Sequence, residues 1–290
     1  MPAVFLKDRS LLFVSGAEAQ SFLQNLITTD IAALGADEAR PGALLTPQGK
    51  ILFDFMIWQD GDGYMVETDA GQRDSMLKRL TMYKLRAAVT LAPSTEEGVT
   101  VSWGEDSEGA GDSQGVRDSQ GVRDSRFAKA GITLIRRPGK HGDGSEALYD
   151  ALRISHGIVT SGSDFALQDA FPHDVLMDFN GGLSFRKGCY VGQEVVSRMQ
   201  HRGTARRRVV TVSAATDLPG TGTEITAAGK PVGTLGSVDG DNGLAIVRID
   251  RAGAAMAAGT PLLAGDTPVS LVLPAWSGLV FPASTDEASA

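Results

Sequence analysis

At Arg208 the chain changes texture, and no single layer architecture accounts for both sides of that point. Beyond it come short β-type runs at fairly even spacing: Val209 to Val212, Glu224 to Thr226, Val232 to Leu235, Leu244 to Ile249 and Val269 to Leu273. Glycine and proline turns separate them. The pattern predicts a small antiparallel barrel or sandwich. Upstream of Arg208, strand-like runs alternate with helical patterns, which predicts an α+β layer with a sheet packed under helices. At 290 residues and 42% hydrophobic the chain can bury a sizeable core, and its length suggests two or three structural units.

Residues 4 to 14 read as a strand or a bent pair of strands, with Ser15 as a helix N-cap. Ala19, Phe22, Leu23, Leu26 and Ile27 then line one face of a helix that ends at Thr28-Thr29-Asp30. Ile51 to Trp58 is apolar on both faces, as in a strand buried on both sides. Asp54 interrupts it. A carboxylate there must be satisfied either by a protein partner, such as a nearby arginine, or by the N–H donors of a ligand. Tyr64 to Thr68 is a further strand, Gln72 to Lys84 a helix, and Val89 to Leu91 and Val99 to Trp103 two more strands. After Ile132 to Ile135, Ser145 to His156 reads as a helix with Ala147, Leu148, Ala151, Leu152 and Ser155 inward.

Between them lies a segment of Gly, Ser, Asp and Gln containing Gln-Gly-Val-Arg-Asp-Ser twice in tandem, at Gln114 to Ser119 and Gln120 to Ser125. Almost nothing in it is apolar, so it reads as a disordered surface insertion. The expected partition is therefore 1–103 and 128–204 as two α+β parts, 104–127 as the insertion, 205–283 as the barrel and 284–290 as a frayed tail.

The longest apolar run is far shorter than the roughly 20 residues that span a bilayer. The N-terminus shows no signal-peptide pattern, and a single cysteine excludes an internal disulfide, so the expected compartment is the reducing cytoplasm. The expected state is a monomer, or a weak dimer joined through that cysteine. His141, His156, His173 and His201 fall at no metal-ligand spacing, and dinucleotide, Walker and nucleophile-elbow motifs do not occur. On a chain of net charge -8, Arg186, Lys187, Arg198, Arg202, Arg206, Arg207 and Arg208 face one acid, Glu194, within a short stretch. Such a basic strip is either a solvated arginine-rich hairpin or a site for a phosphate, a polyglutamate tail or a short RNA.

The cysteine, Cys189, stands in Lys187-Gly188-Cys189-Tyr190-Val191-Gly192-Gln193-Glu194. Val191, Val195, Val196 and Met199 predict a helix just after it. The thiol is thus placed near a helix N-terminus beside Arg186 and Lys187, the setting of a reactive cysteine rather than an inert buried one. Gly188 and Gly192 suit close backbone approach to a ligand. Asp54, Gln193 and Glu194 can read the donors of a flat heterocycle, Tyr190 can line the wall, and Lys187, Arg198 or Arg202 can meet a carboxylate.

This octapeptide resembles the signature of the YgfZ-type folate-binding proteins, relatives of the glycine-cleavage T-protein, an aminomethyltransferase. The Gly16 to Asp30 run resembles the opening of the same family. T-proteins are similar but carry aspartate and phenylalanine where this chain has Cys189 and Tyr190. The resemblance implies a GcvT-like, multi-lobed α+β folate-binding fold with a C-terminal antiparallel β-barrel. It also implies tetrahydrofolate or a one-carbon derivative as cofactor, with Asp54 and Arg153 facing the ligand. It further implies assistance to iron-sulfur cluster assembly or repair in client enzymes, including some that modify tRNA. The alternative is a folate-dependent one-carbon transferase of the T-protein type. Weak RNA contact through the Arg198 to Arg208 strip is a third expectation.

Overall fold

The computed structural model of the protein describes residues 2–104 and 121–283. The expected 284–290 tail and the first repeat copy, Gln114 to Ser119, lie outside the described residues. By internal contacts the chain forms two units, and neither is continuous in sequence: Met1–Leu45 with Leu52–Tyr149 and Asn180–Val191, and Thr46–Ile51 with Asp150–Phe179 and Gly192–Ala290.

The first unit is built on β1 (Ala3–Leu6), β2 (Arg9–Ser15), α1 (Ala19–Gln24), β3 (Glu38–Leu45), β4 (Ile51–Asp60), β5 (Gly63–Asp69) and α2 (Ala70–Lys84). There follow β6 (Thr90–Pro93), β7 (Val99–Trp103), β8 (Val122–Asp124), α3 (Ser125–Lys129) and β9 (Leu134–Pro138). Their nine-stranded sheet has the order β1-β7-β9-β8-β3-β4-β5-β2-β6. The β3/β8 pair is parallel, whereas β1/β7, β7/β9, β8/β9, β4/β5 and β2/β5 are antiparallel.

As its two-sided apolar pattern predicts, β4 is buried on both faces. Phe53, Phe55 and Ile57 join a core with Phe22, Leu23, Ile27, Met76 and Leu80, while Met56 and Trp58 join a second with Leu11, Ala39, Met65 and Val99. Helix α2 starts two residues before the expected Gln72, because Asp69 caps it by accepting from Gly71 N at 2.8 Å. Helix α1 is shorter than expected. Ser15 is not its cap but the last residue of β2, paired with Thr90, and no side chain caps the helix at Glu18.

The expected insertion is wrong for its last residues. Val122 to Asp124, in the second repeat copy, form β8 between β3 and β9, and Ser125 opens α3 under an Asp124 cap. An ion-pair network explains why so polar a segment is ordered. Arg136, 1% exposed, donates Nη1 to Asp124 Oδ2 at 2.9 Å and Nε to Glu67 Oε2 at 2.8 Å, and Nη2 also bonds Glu67. Arg9 donates Nε to Glu67 Oε1 at 2.8 Å, and Arg126 grips Asp124 with Nε at 3.1 Å and Nη2 at 2.8 Å. A buried guanidinium without such partners is strongly destabilising, so Arg136 requires Asp124 beside it.

Helix α4 (Glu146–Ser155) is where expected but rotated. Its buried residues are Tyr149, Arg153 and Ile154, while Leu148 is 51% exposed. Arg153 is not among the residues expected inward, and its ionic partners, described below, account for its burial.

In the second unit, α5 (Gln193–His201) precedes β10 (Arg207–Ala214), β11 (Glu224–Ala227), β12 (Lys230–Asp239), β13 (Asn242–Arg248), α6 (Ile249–Ala257), β14 (Leu262–Ala264) and β15 (Thr267–Val272). The strands close into an antiparallel barrel, β10-β13-β12-β11-β14-β15, around Val210, Val212, Ile225, Leu235, Val247 and Leu271. The even strand spacing predicts a barrel or a sandwich, and the barrel is the one formed. Helix α6 was not legible, because Ala252 to Gly259 is alanine and glycine apart from Met256, and β14 is only three residues long. Among the described residues no helix is long and apolar enough to cross a membrane.

Glu67 sets a testable stability. Burial opposes its ionisation, but the guanidinium groups of Arg136 and Arg9 overcome that, lowering its pKa from the usual 4.5 to about 2. The pKa is lowered on folding, so the pair stabilises fully above about pH 4.5, and that contribution is lost as pH falls toward 2. Glu67→Gln is expected to lower stability by about 3 to 5 kcal/mol in urea unfolding at pH 7, with a smaller difference from the parent near pH 3.

Candidate functional site

The cysteine loop belongs to the segment Asn180–Val191 of the first unit, and buried polar contacts hold its base. Thr28 and Thr29, both 0% exposed, follow α1 after Asn25, Leu26 and Ile27. Thr28 Oγ1 donates to Gly182 O at 2.6 Å, Ser184 N donates to Thr28 O at 3.0 Å, and Asn180 Oδ1 accepts from Gly182 N at 3.0 Å. Lys187, 8% exposed, donates Nζ to the carbonyls of Ile27 at 2.7 Å and Thr29 at 2.8 Å. Burial lowers its pKa to about 8, an effect that Asp30 partly opposes. The ammonium also lies 5.2 Å from the Tyr190 ring centroid. Tyr190 donates its hydroxyl to Ser184 O at 3.1 Å, and burial pushes its pKa up, so the phenol remains a donor.

Above this base, Gly188 and Cys189 are exposed, and the space around Gly188 is open. The thiol is therefore presented to solvent from a loop whose neighbours on both sides, Lys187 and Tyr190, are anchored. That is a geometry for a thiol that must meet another molecule. The clamp at Thr28-Thr29 was not foreseen as functional. Two consecutive polar residues directly after an amphipathic helix were its only trace in the sequence.

Asp54 lies half-buried in β4, and Thr68 Oγ1 donates to its backbone carbonyl at 3.0 Å. Its Oδ1 is fully buried without a hydrogen-bond partner, and among the described residues it makes no ion pair. The structural arginine pair that the sequence left open is thus not found. An orphaned buried carboxylate oxygen is an acceptor waiting for a donor.

The remaining expected site residues lie in the second unit. Gly192, at φ +79°, is the N-cap of α5, a left-handed conformation that favours glycine. The helix starts at Gln193 rather than Val191, so Cys189 precedes the cap by three residues instead of adjoining it. Gln193 is its first residue, half-buried. Glu194 is exposed and accepts from Arg198 Nη2 at 2.5 Å, one turn along the same helix. Arg202 is the exposed C-cap of α5. Arg153 is buried, donating to Asp150 at 2.6 Å, Asp164 at 2.7 Å and Ser237 at 2.5 Å. Its expected ligand-facing role is corrected accordingly: the guanidinium ties α4 to the barrel strand carrying Ser237. Lys187 likewise spends its charge on backbone carbonyls and is not directed at a carboxylate tail.

Nor is the basic strip one cationic face. Arg198 is paired with Glu194, and Arg208 is buried, donating to His173 O at 2.6 Å and to both oxygens of Asp178 at 2.9 and 3.0 Å.

Comparison with known proteins places these features. Residues 206–279 match the model of the CAF17 C-terminal beta-barrel domain. The human iron-sulfur cluster assembly factor IBA57, mitochondrial, is 30% identical over 272 residues, covering 83% of this chain and 76% of that protein. Homologues named likewise occur in Coccidioides immitis, 32% identical over 72% of this chain and 56% of the relative, and in Pyricularia oryzae, 30% identical over 71% and 55%. The chain thus spans little more than half the length of these fungal relatives. Among solved structures, glycine cleavage system aminomethyltransferase T from Bartonella henselae shares the fold with a TM-score of 0.72 at 17% identity, over 94% of this chain and 85% of that one.

Lys187→Met is expected to leave the Ile27 and Thr29 carbonyls unpaired, at about 1 to 3 kcal/mol of stability. Hydrogen exchange should show faster amide exchange across Asn180–Val191, with strands β4 and β5 unchanged.

Proposed function

Because the chain belongs to the family of the iron-sulfur cluster assembly factor IBA57, we propose that it assists iron-sulfur cluster assembly in client proteins through the exposed Cys189 thiol. The observation that carries this reading is the anchored loop, which offers one thiol outward while Lys187 and Tyr190 are held inward. A cluster needs several ligands, commonly four cysteine thiolates. A chain with one cysteine can provide one, so the cluster is cargo shared with a partner protein that supplies the others. Tyr190 and Lys187 do not touch the cargo. They fix the position from which Cys189 reaches it. We extend the proposal to clients that include tRNA-modifying enzymes, as the likeness to YgfZ-type proteins implies.

Tetrahydrofolate is the proposed ligand of the first unit. The fit is supported by Asp54, whose buried, unpartnered Oδ1 matches the donor-rich edge of a pterin. Arg153 and Lys187 do not contribute, being committed to Asp164 and to backbone carbonyls. Bound folate would supply a one-carbon carrier, and Asp54 would orient its ring by accepting from it.

In cells lacking the native protein, Cys189→Ala should fold normally yet fail to restore the activity of iron-sulfur enzymes. Full complementation by this variant would refute the role of the thiol. Calorimetric titration with tetrahydrofolate should show Asp54→Asn weakening binding by about 1.5 to 3 kcal/mol. An unchanged affinity would return Asp54 to the core, and robust turnover of an aminomethylated lipoyl carrier would make the protein a transferase instead.

A further inference from the structure

Helix α2 runs into a turn whose central leucine the fold itself does not explain. Ala87 N donates to Lys84 O at 2.8 Å, closing a four-residue turn in which Leu85 holds φ +47° and ψ -107°. Those are the dihedrals of the first central position of a type II′ turn, which glycine or a small polar residue normally takes, because a Cβ there crowds the backbone. Leu85 is also 87% exposed, so it offsets that strain with little burial of its own, and Met82 on the last turn of α2 is 60% exposed. Strain of this kind persists where binding requires a fixed geometry. The turn is held from both sides. Tyr83 and Ala87 pack against the core that contains Phe22 and Leu80, Ala88 N donates to Glu18 Oε2 at 2.6 Å, and a Cβ on Gly16 would stand 2.4 Å from Ala88 O.

The charge around this turn has one sign. From Ser75 to Thr95 the chain carries Lys78, Arg79, Lys84 and Arg86 and no acid. Among the described residues none of these four side chains makes an ion pair, and the preceding acid, Asp74, is taken by Arg73 at 2.9 Å. Lys78 and Arg86 are exposed, and Arg79 and Lys84 half-buried. We propose that this turn and the end of α2 dock an acidic partner protein, Leu85 entering an apolar pocket while the four cations meet carboxylates around it. An apolar centre within a charged rim is the usual anatomy of a protein interface, and the rim charges steer the encounter and select the partner. A leucine fixed in place suits a shaped pocket, because little freedom is left to lose on binding, whereas a fluid membrane has no shape to match it. The partner is the cluster-sharing protein that the proposed function requires, and its assignment rests on that reading. The turn belongs to the same unit as the Cys189 loop.

The test places the photo-crosslinking residue p-benzoylphenylalanine at Met82 of the full chain in cells, with the same residue at the exposed Lys230 as control. Position 82 should capture a protein that mass spectrometry identifies as having ligands for an iron-sulfur cluster, with the crosslink on an acidic surface. Leu85→Gly should unfold no earlier than the parent on heating, since glycine adopts the turn freely. Yet it should lower the crosslink yield, and with the captured partner purified and free of cluster it should weaken calorimetric binding by about tenfold or more. Arg86→Gln should weaken binding at low salt more than at high salt. Cys189→Ala should crosslink as the parent does, so that failure of the thiol's role and failure of the docking surface are read separately. A yield from position 82 no higher than from Lys230, crosslinks to lipid alone, an undiminished yield in Leu85→Gly, or a partner without cluster ligands each overturns the proposal.

Discussion

Burial of the Arg136 guanidinium is the constraint on which the first unit depends. A cation at 1% exposure in a sheet interior is tolerated only while carboxylates surround it, and here Glu67 on β5 and Asp124 on β8 do so from different strands. Arg9 on β2 and Arg126 on α3 complete the charge balance. The network ties together β2, β5, β8 and β9, strands that are remote in the chain. The apolar residues of β4 pack on both sides of the same sheet.

The same logic on a smaller scale governs the cysteine loop. Lys187 is a buried cation satisfied by two backbone carbonyls, and Thr28, which accepts from Ser184 N and donates to Gly182 O, joins the segment after α1 to the loop. Holding the loop at its base frees its tip. Cys189 is then exposed without the loop being loose, which suits a thiol that must find a partner's cluster in a defined orientation. A residue that seemed a ligand-binding cation acts instead as the anchor that positions its neighbour.

How far the sequence could be read depended on the range of the interaction involved. The two-sided apolar run of β4, the helix over Met76 and Leu80, and the even spacing of the barrel strands follow from local patterning and were legible. The Lys187 to Glu194 motif was legible too, because its residues are contiguous. Failures came where a polar side chain found a distant partner. Arg153 reads as a ligand-facing arginine until Asp164 and Ser237 are brought to it. Asp124 sits in a repeat that looks disordered until Arg136 requires it. Arg208 reads as one member of a basic strip, yet Asp178 and a backbone carbonyl draw it inward.

By itself, then, the sequence determined most of the strands and helices, the antiparallel β character beyond Arg208, and the identity of the one thiol, because periodicity and composition act through burial of apolar surface, which is local and additive along a chain. Only the tertiary structure decided which charges are ligands and which are struts. That depends on where opposite charges meet after folding, and the energy of a buried charge is set by its neighbours in space rather than in sequence.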